Sequence, residues 1–165
     1  MATRTYLKNI KEGFERDTIR ALRDLGIAAM NHAYAKKRFT NRTGNLHDSY
    51  ASAVFINGSI VQSTLRYLDS PISRKVDPKT GKNGHQTAKD FMSTGRFGRE
   101  DGEIVLVVIA AMYYAGILEK YYHYEVISPA NDYIESHWQE TMTPVYSKYG
   151  IKGRPKAKII NGERL

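Results

Sequence analysis

The chain has no cysteine among its 165 residues, so it can form no disulfide, no thiolate metal site and no cysteine nucleophile. Its composition is 41% hydrophobic and 25% charged, which is typical of a globular protein and not of a disordered one. The length fits a single domain with a real hydrophobic core. We therefore predict one domain over residues 1–149, followed by a basic tail over residues 150–165.

Long apolar runs are also missing. The longest such run, residues 104–111, is far shorter than the roughly 20 residues that a membrane-spanning helix needs. The first residues, Met1-Ala2-Thr3-Arg4, lack the apolar stretch of a signal peptide. We expect an intracellular protein that makes no contact with a membrane.

The sequence contains no common nucleotide-binding motif. Gly81-Lys82 is followed by Asn83 and lacks the upstream glycine of a Walker loop, and no Gly-x-Gly-x-x-Gly occurs. The signal for a nucleotide cofactor is therefore negligible.

The five histidines show no metal-ligand spacing such as His-x-x-x-His or His-Glu-x-x-His. A metal-dependent nuclease site could be drawn from Asp48, His85 and Glu119, but no spacing supports it. His47 and Asp48 are neighbours in a predicted short helix, where adjacent side chains do not face each other. We therefore expect no catalytic residue, no metal and no cofactor, and we do not expect an enzyme.

Charge is distributed unevenly along the chain, whose net charge is +8. Residues 1–39 carry +5, residues 70–99 carry +5 and residues 150–165 carry +4, whereas residues 40–69 are balanced and residues 100–149 carry −6. Three explanations stay open: solvated faces, contact with a phosphate backbone, or pairing of acidic and basic surfaces between copies of the chain.

A helical pattern dominates the start of the chain. Apolar or small residues recur every three or four positions from Leu7 to Ala33, which predicts a helix over most of residues 4–36. At 1.5 Å per residue this helix would be about 45 Å long. That length exceeds what a small core needs. Either part of the helix packs against a neighbouring molecule or the helix lies across its own sheet.

Two predicted strands, residues 52–56 and 59–67, flank Asn57-Gly58. This dipeptide is a strong hairpin signal, because both turn positions accept positive φ. The β-branched residues 103–111 predict a buried strand. Residues 121–127, which include His123, predict a last strand.

The residues from Ser128 onward predict a helix at the end of the domain. Ser128 is suited to cap it and Pro129 to occupy its first helical position, while Pro144 is expected to kink or end it. The predicted fold class is therefore α+β: a long N-terminal helix and a C-terminal helix packed on a small antiparallel sheet.

Residues 68–102 have no periodicity and contain five glycines, two prolines and seven basic residues. A segment of this length without a core pattern is typical of a functional loop. We predict an extended, mobile basic loop inserted in the domain. Its basic residues, which would face DNA or a partner protein, are Arg74, Lys75, Lys79, Lys82, Lys89, Arg96 and Arg99.

Eight of the twelve tyrosines lie in the last third of the chain, mostly within the acidic segment. Tyrosine is enriched at protein interfaces, where its ring is buried and its hydroxyl stays solvated. Base stacking on single strands would instead place aromatic residues among basic ones. The distribution favours protein–protein contact.

A short turn-and-restart segment, residues 43–50, separates the long helix from the first strand. Thr43 is suited to cap a short helix, and Gly44 tolerates the backbone angles of a tight entry. Leu46 and Tyr50 are four residues apart and share one face. About seventy residues later a second segment reads Tyr114-Ala115-Gly116-Ile117-Leu118-Glu119.

In this order the two segments resemble the T-G-x-L-x-x-S and Y-A-x-x-(hydrophobic)-E blocks of small neck and tail-completion proteins of long-tailed bacteriophages. The resemblance covers roughly residues 5–148. Lys120-Tyr121-Tyr122 stands where that family has a glycine soon after the glutamate. The residues that carry the resemblance are Thr43, Gly44, Asn45, Leu46, Ser49, Tyr114, Ala115 and Glu119.

The resemblance implies a structural virion protein of the phage neck or tail with no catalytic role, assembled in the host cytoplasm. Members of that family are α+β proteins that form rings at the head–tail junction or the tail end, completing the tail tube and joining it to the head around the DNA passage. The implied partners are further copies of this chain in a homo-oligomeric ring, neighbouring neck, portal-side or tail-tube proteins, and genomic DNA through non-specific contact. In such a ring we expect acidic residues of the segment 100–149, such as Glu119 and Glu125, to face basic residues of the next copy.

An alternative of another class uses the basic charge directly. A monomeric nucleic-acid-binding protein would contact phosphates and would show duplex affinity that falls steeply with salt. The ring hypothesis instead predicts multimers, or a monomer that assembles only against its partner ring. The basic residues of the alternative are Arg74, Lys75, Lys79, Lys82, Arg154, Lys156 and Lys158.

Overall fold

The structure is a computed structural model, and it describes residues 2–39, 43–65, 75–95, 97, 98, 100, 102–153 and 155. The predicted α+β fold is confirmed, with long helices at both ends of the domain and a small antiparallel sheet between them. In chain order the elements are α1 (Ala2–Lys36), α2 (Asn45–Asp48), β1 (Tyr50–Ile56), β2 (Ser59–Leu65), α3 (Gly84–Thr94), β3 (Ile104–Ala110), α4 (Ala115–Tyr122) and α5 (Ser128–Lys148).

The sheet has the strand order β2-β1-β3, and both pairings are antiparallel. The predicted hairpin is present between β1 and β2. Asn57 and Gly58 have φ values of 50° and 76°, the left-handed conformation that a tight two-residue turn demands at both positions. Tyr50 of β1 pairs with Ala110 of β3, so the start of the central strand lies beside the end of the edge strand.

Alternate residues of β1 face two different helical layers. Tyr50 and Val54 belong to clusters that include residues of α1 and α5, whereas Ala53 and Phe55 pack with Ala88 of α3. Side chains alternate across a strand, so this central strand is buried on both faces. The molecule is therefore three-layered: α1 and α5, then the sheet, then α3.

Helices α1 and α5 run antiparallel along one face. His32, near the end of α1, contacts Tyr133 near the start of α5, with ring centroids 5.0 Å apart. Towards the start of α1, the Phe14 ring meets the edges of Tyr146 and Tyr149, each at 5.7 Å. At the same level, the Asp17 carboxylate accepts hydrogen bonds from Lys148 (2.6 Å) and from the Tyr149 hydroxyl (2.8 Å).

The predicted extended loop over residues 68–102 is wrong in its second half, which contains α3. Asn83 caps this helix: its side chain accepts from the Gln86 backbone N–H, and the Gln86 side chain accepts from the Asn83 N–H, which is a capping box. Ala88 and Met92, four residues apart, are buried against the sheet. Residues 68–74 of the predicted loop lie outside the described residues, whereas residues 75–83 form a turn in which the Asp77 backbone N–H donates to the Lys82 carbonyl at 2.9 Å.

The predicted strand over residues 121–127 is also wrong, because α4 continues to Tyr122. His123 then adopts φ 52° and Glu125 φ 51°, and positive φ is incompatible with an extended strand. Of the two effects expected of Pro144, the end of the last helix is wrong, because α5 continues to Lys148. Met142 and Val145, on either side of the proline, are buried, so this part of α5 packs against the rest of the domain.

Candidate functional site: the junction of the two motif segments

The two motif segments, distant in sequence, meet in space. The Tyr114 hydroxyl hydrogen-bonds with the side chain of Thr43 and with the backbone of Leu46. Burial raises the pKa of this hydroxyl above its ordinary value, and the bond with Thr43 opposes that rise. We call the meeting point, formed by residues 43–50, 114–119 and 126–128, the motif junction.

The turn into α2 follows the sequence prediction, with one difference. Gly44 has φ 82°, a conformation that glycine adopts without steric cost. Gly44, and not Thr43, is the N-cap residue of α2. The Thr43 hydroxyl accepts from the Asn45 backbone N–H at 3.3 Å. It therefore stabilises the turn from the position just before the N-cap residue.

An apolar cluster binds the two segments to the start of α5. Leu46, Tyr50 and Ala115 are buried in one cluster with Val126. Within it, the Tyr50 hydroxyl donates a hydrogen bond of 2.6 Å to the Val126 carbonyl. Burial strongly raises the pKa of Tyr50, because a phenolate in this apolar setting would lose its hydration.

Glu119 caps the last helix from a distance. Its two carboxylate oxygens accept from the backbone N–H of Ile127 (2.7 Å) and of Ser128 (3.1 Å). These N–H groups open α5 and have no partner within the helix, and a negative charge is favourable at that end of the helix dipole. The expectation that Ser128 itself caps the helix is therefore wrong: Ser128 is the first residue of α5, and Pro129, predicted at that position, is the second.

Asn45 and Ser49 complete the junction. The Ser49 hydroxyl donates to the Leu46 carbonyl (2.8 Å), and the Ser49 carbonyl accepts from Ala111 at the end of β3 (3.1 Å). The Asn45 side-chain oxygen accepts from the backbone N–H of Gly84 at 3.2 Å. A Cβ on Gly84 would lie 1.8 Å from the Asn45 carbonyl oxygen, so only glycine fits there.

The sequence interpretation missed Gly84 as a member of this site. Asn83 and Gln86, at capping-box spacing around it, are the signal that could have revealed the start of α3.

His47 and Asp48 do face each other, contrary to the expectation from their adjacency. His47 Nδ1 lies 2.7 Å from Asp48 Oδ1, and the two side chains are only 8% and 1% exposed. The spacing rule describes side chains that spread outward from a long helix, whereas α2 is one buried turn whose polar atoms must find partners. The Tyr34 and His47 rings meet at a steep angle with centroids 4.5 Å apart, so an aromatic ring packs against the pair.

The described members of the two predicted basic sets lie apart from the junction interior, on exposed surface. Lys82 forms an ion pair with Asp90 of α3, and Lys79 Nζ lies 4.4 Å from the centre of the Tyr113 ring. Lys75 and Lys89 are exposed. The remaining members of the two predicted basic sets, Arg74, Arg96, Arg99, Arg154, Lys156 and Lys158, lie outside the described residues.

Two further searches concern only the part of the chain that the structure describes. There, no three His, Asp or Glu side chains are grouped so that they could hold a metal ion. None of the described helices is long and apolar enough to cross a membrane.

Comparison with known proteins adds no relative: no family model, no curated protein and no solved structure gives a significant match to this chain.

Proposed function

We propose that the protein is a structural component of the neck or tail of a long-tailed bacteriophage. In this role copies of the chain form a ring that completes the tail tube and joins it to the head around the DNA passage. The proposal starts from the resemblance of residues 43–50 and 114–119 to the two blocks of that protein family.

One observation carries the proposal: the residues of the resemblance form one connected unit of structure. Tyr114 bonds to the first segment, Ala115 packs with Leu46, and Glu119 caps α5. A chance match of two short motifs would not be expected to place both in one contact region. Each of these side chains is engaged in holding secondary-structure elements together, as a scaffold protein requires and as a catalytic site does not.

The surface agrees in kind with assembly through protein contacts. Several large apolar side chains are exposed at both ends of α1, among them Tyr6, Leu7, Tyr121 and Tyr122. Apolar surface of this kind is a common feature of protein interfaces.

The decisive experiment mixes the purified chain with the portal and tail-tube proteins of the same virus and follows assembly by light scattering and negative-stain imaging. We expect rings of this chain, alone or seated on the end of one partner. The absence of any complex with either partner would contradict the proposal.

A titration with duplex DNA at increasing salt separates the proposal from the nucleic-acid-binding alternative. The ring hypothesis predicts weak binding at most, without sequence preference. Tight duplex binding by a monomer, with affinity falling steeply as salt rises, would favour the alternative instead.

A further inference from the structure

The first three turns of α1 project beyond the rest of the domain. Helix α5 ends at Lys148, and the Tyr149 ring then packs against Gly13 and Phe14. Residues 2–12, which we call the arm, therefore continue past the end of the neighbouring helix. At 1.5 Å per residue the arm is about 16 Å long.

The apolar face of α1 continues into the arm. Ile10 stands four residues before Phe14, and Leu7 and Tyr6 stand three and four residues before Ile10, so these side chains lie on one side of the helix. Tyr6 is 65% exposed and Leu7 is 60% exposed. Most helical stability in proteins comes from packing of such a face, so an extension that keeps the face but leaves it uncovered indicates a partner.

A second exposed apolar surface lies at the other end of the molecule. Ile117 and Tyr121, four apart on α4, are exposed, and the exposed rings of Tyr122 and Tyr124 lie 5.7 Å apart. The Arg38 backbone N–H donates to the Tyr124 carbonyl, which places this surface beside the end of α1. About 30 residues of helix, or roughly 45 Å, separate it from the arm, so the two surfaces cannot meet within one chain.

The arm and helix α5 also differ in charge, whereas the chain at the end of α1, beside the tyrosines, carries Lys36, Lys37 and Arg38. The arm contains Arg4, Lys8 and Lys11 against the single acid Glu12, which lies 3.7 Å from Lys8 in an exposed ion pair. The part of α5 that follows the tyrosine surface exposes three acids, and no Lys or Arg occurs between residues 128 and 147. Among the described residues these three acids form no ion pair; they are Asp132, Glu135 and Glu140.

The acids first expected to pair between copies are already engaged within the chain. Glu119 caps α5, and Glu125 forms an ion pair with Arg38 at 3.1 Å. The acids of α5, together with exposed Glu100 before β3, are therefore available to a basic partner.

We propose that the arm of one copy docks on the α4–α5 surface of a second copy, with Tyr6 and Leu7 against the tyrosines and the arm's lysines near the acids of α5. The two contacting surfaces are different, so the association is head-to-tail and leads to a ring if the rotation closes. This inference rests on the proposed ring-forming function, for which it names the surface between subunits.

The absence of native cysteine allows a direct test in the full chain. In a double variant, Asn9→Cys with Lys120→Cys, one cysteine lies on the arm and one beside the tyrosine surface, and both native residues are exposed. A short bismaleimide should then link the copies into a ladder of dimers, trimers and higher species. Either single variant should stop at dimers.

The matched control keeps Asn9→Cys and moves the second cysteine to exposed Ser59 on β2. This control should give no ladder. Equal ladders in both double variants, or no ladder at any protein concentration, would overturn the inference.

A second measurement does not depend on chemistry at cysteine. Sedimentation of the variant Tyr6→Ser with Leu7→Ser should show self-association at least about tenfold weaker than in the unchanged chain. The reason is that the contact between copies would lose the burial of two apolar side chains. Unchanged self-association overturns the inference. It leaves the proposed function standing, because that is tested separately by complex formation of the unchanged chain with the portal and tail-tube proteins.

Discussion

The motif junction and the arm use similar residues in opposite ways. At the junction, Tyr50 and Tyr114 are tied by their hydroxyl groups to backbone or side-chain partners, and their rings join the core. On the arm, Tyr6 and Leu7 have the same apolar character but lie in solvent. The junction therefore contributes to folding of the single chain. The arm contributes little to it, and its apolar face serves contacts that the chain does not make alone.

Gly84→Ala should break the junction most severely. The added Cβ would lie 1.8 Å from the Asn45 carbonyl oxygen, so α3 and α2 must separate. We expect a loss of about 3 kcal/mol in the free energy of unfolding, measured by urea denaturation. Gly116→Ala is the matched control: it adds a Cβ in α4 with nothing within 4 Å, and stability should stay equal or rise by about 0.5–1 kcal/mol. Equal losses in both variants would contradict the close approach.

Glu119→Ala should be the next largest effect. The change leaves the N–H groups of Ile127 and Ser128 without their acceptor, and a lost cap of this kind costs about 1–2 kcal/mol. Urea denaturation measures the loss, and hydrogen exchange should show the first turn of α5 opening. Exposed Glu135→Ala, on the same acidic helix, should change stability by less than about 0.5 kcal/mol.

Tyr114→Phe tests the bond between the two motif segments alone. Only the hydroxyl that meets Thr43 is removed, so we expect a loss of about 1 kcal/mol and an unchanged fold. The cycle with Thr43→Val should be non-additive, because the two side chains share one hydrogen bond. Additive losses would show that the bond does not join the segments.

The arm should be the least sensitive region in the isolated chain. Tyr6→Ser with Leu7→Ser should shift the free energy of unfolding of the monomer by no more than about 0.5 kcal/mol, measured in dilute solution. A large destabilisation would mean that the arm packs on its own domain, and the contrast with the junction would disappear.

Acid should weaken the contact between Asp17 and the end of α5, next to the base of the arm. The hydrogen bonds from Lys148 and then Tyr149 lower the pKa of Asp17 from 3.8 to about 2. A lowered carboxyl pKa stabilises the folded chain above pH 3.8, and this contribution disappears as the pH falls towards 2. Thermal unfolding measured between pH 5 and 2 should therefore lose less stability in Asp17→Asn than in the unchanged chain.

Local patterns predicted most elements but not α3 or the conformation of residues 121–127, and they predicted contacts between elements poorly. The long first helix and the Asn57-Gly58 hairpin followed from periodicity and turn chemistry, which act within a few residues. Helix α3 was missed because its apolar face has only Ala88 and Met92, too few to stand out among glycines and lysines.

The site itself was predicted in part. The resemblance named the eight residues, but their roles depend on partners far away in sequence, such as the N–H groups of α5 for Glu119. The facing of His47 and Asp48 was predicted wrongly, because burial overrides the spreading of neighbouring side chains. The αL conformation of His123, which usually favours glycine, has no local signal in the sequence.

Because α1 is one continuous helix, the direction of the arm's apolar face is fixed relative to the body of the domain. Helix α1 runs without interruption from Ala2 to Lys36, and contacts from Phe14 onward fix its orientation on the body. One residue inserted just before Gly13 would advance the arm by only about 1.5 Å but turn its apolar face by about 100°. Seven inserted residues would restore the direction of that face almost completely, about 10 Å further out. The number of residues between the body and the arm therefore determines the direction in which the apolar face of the arm points.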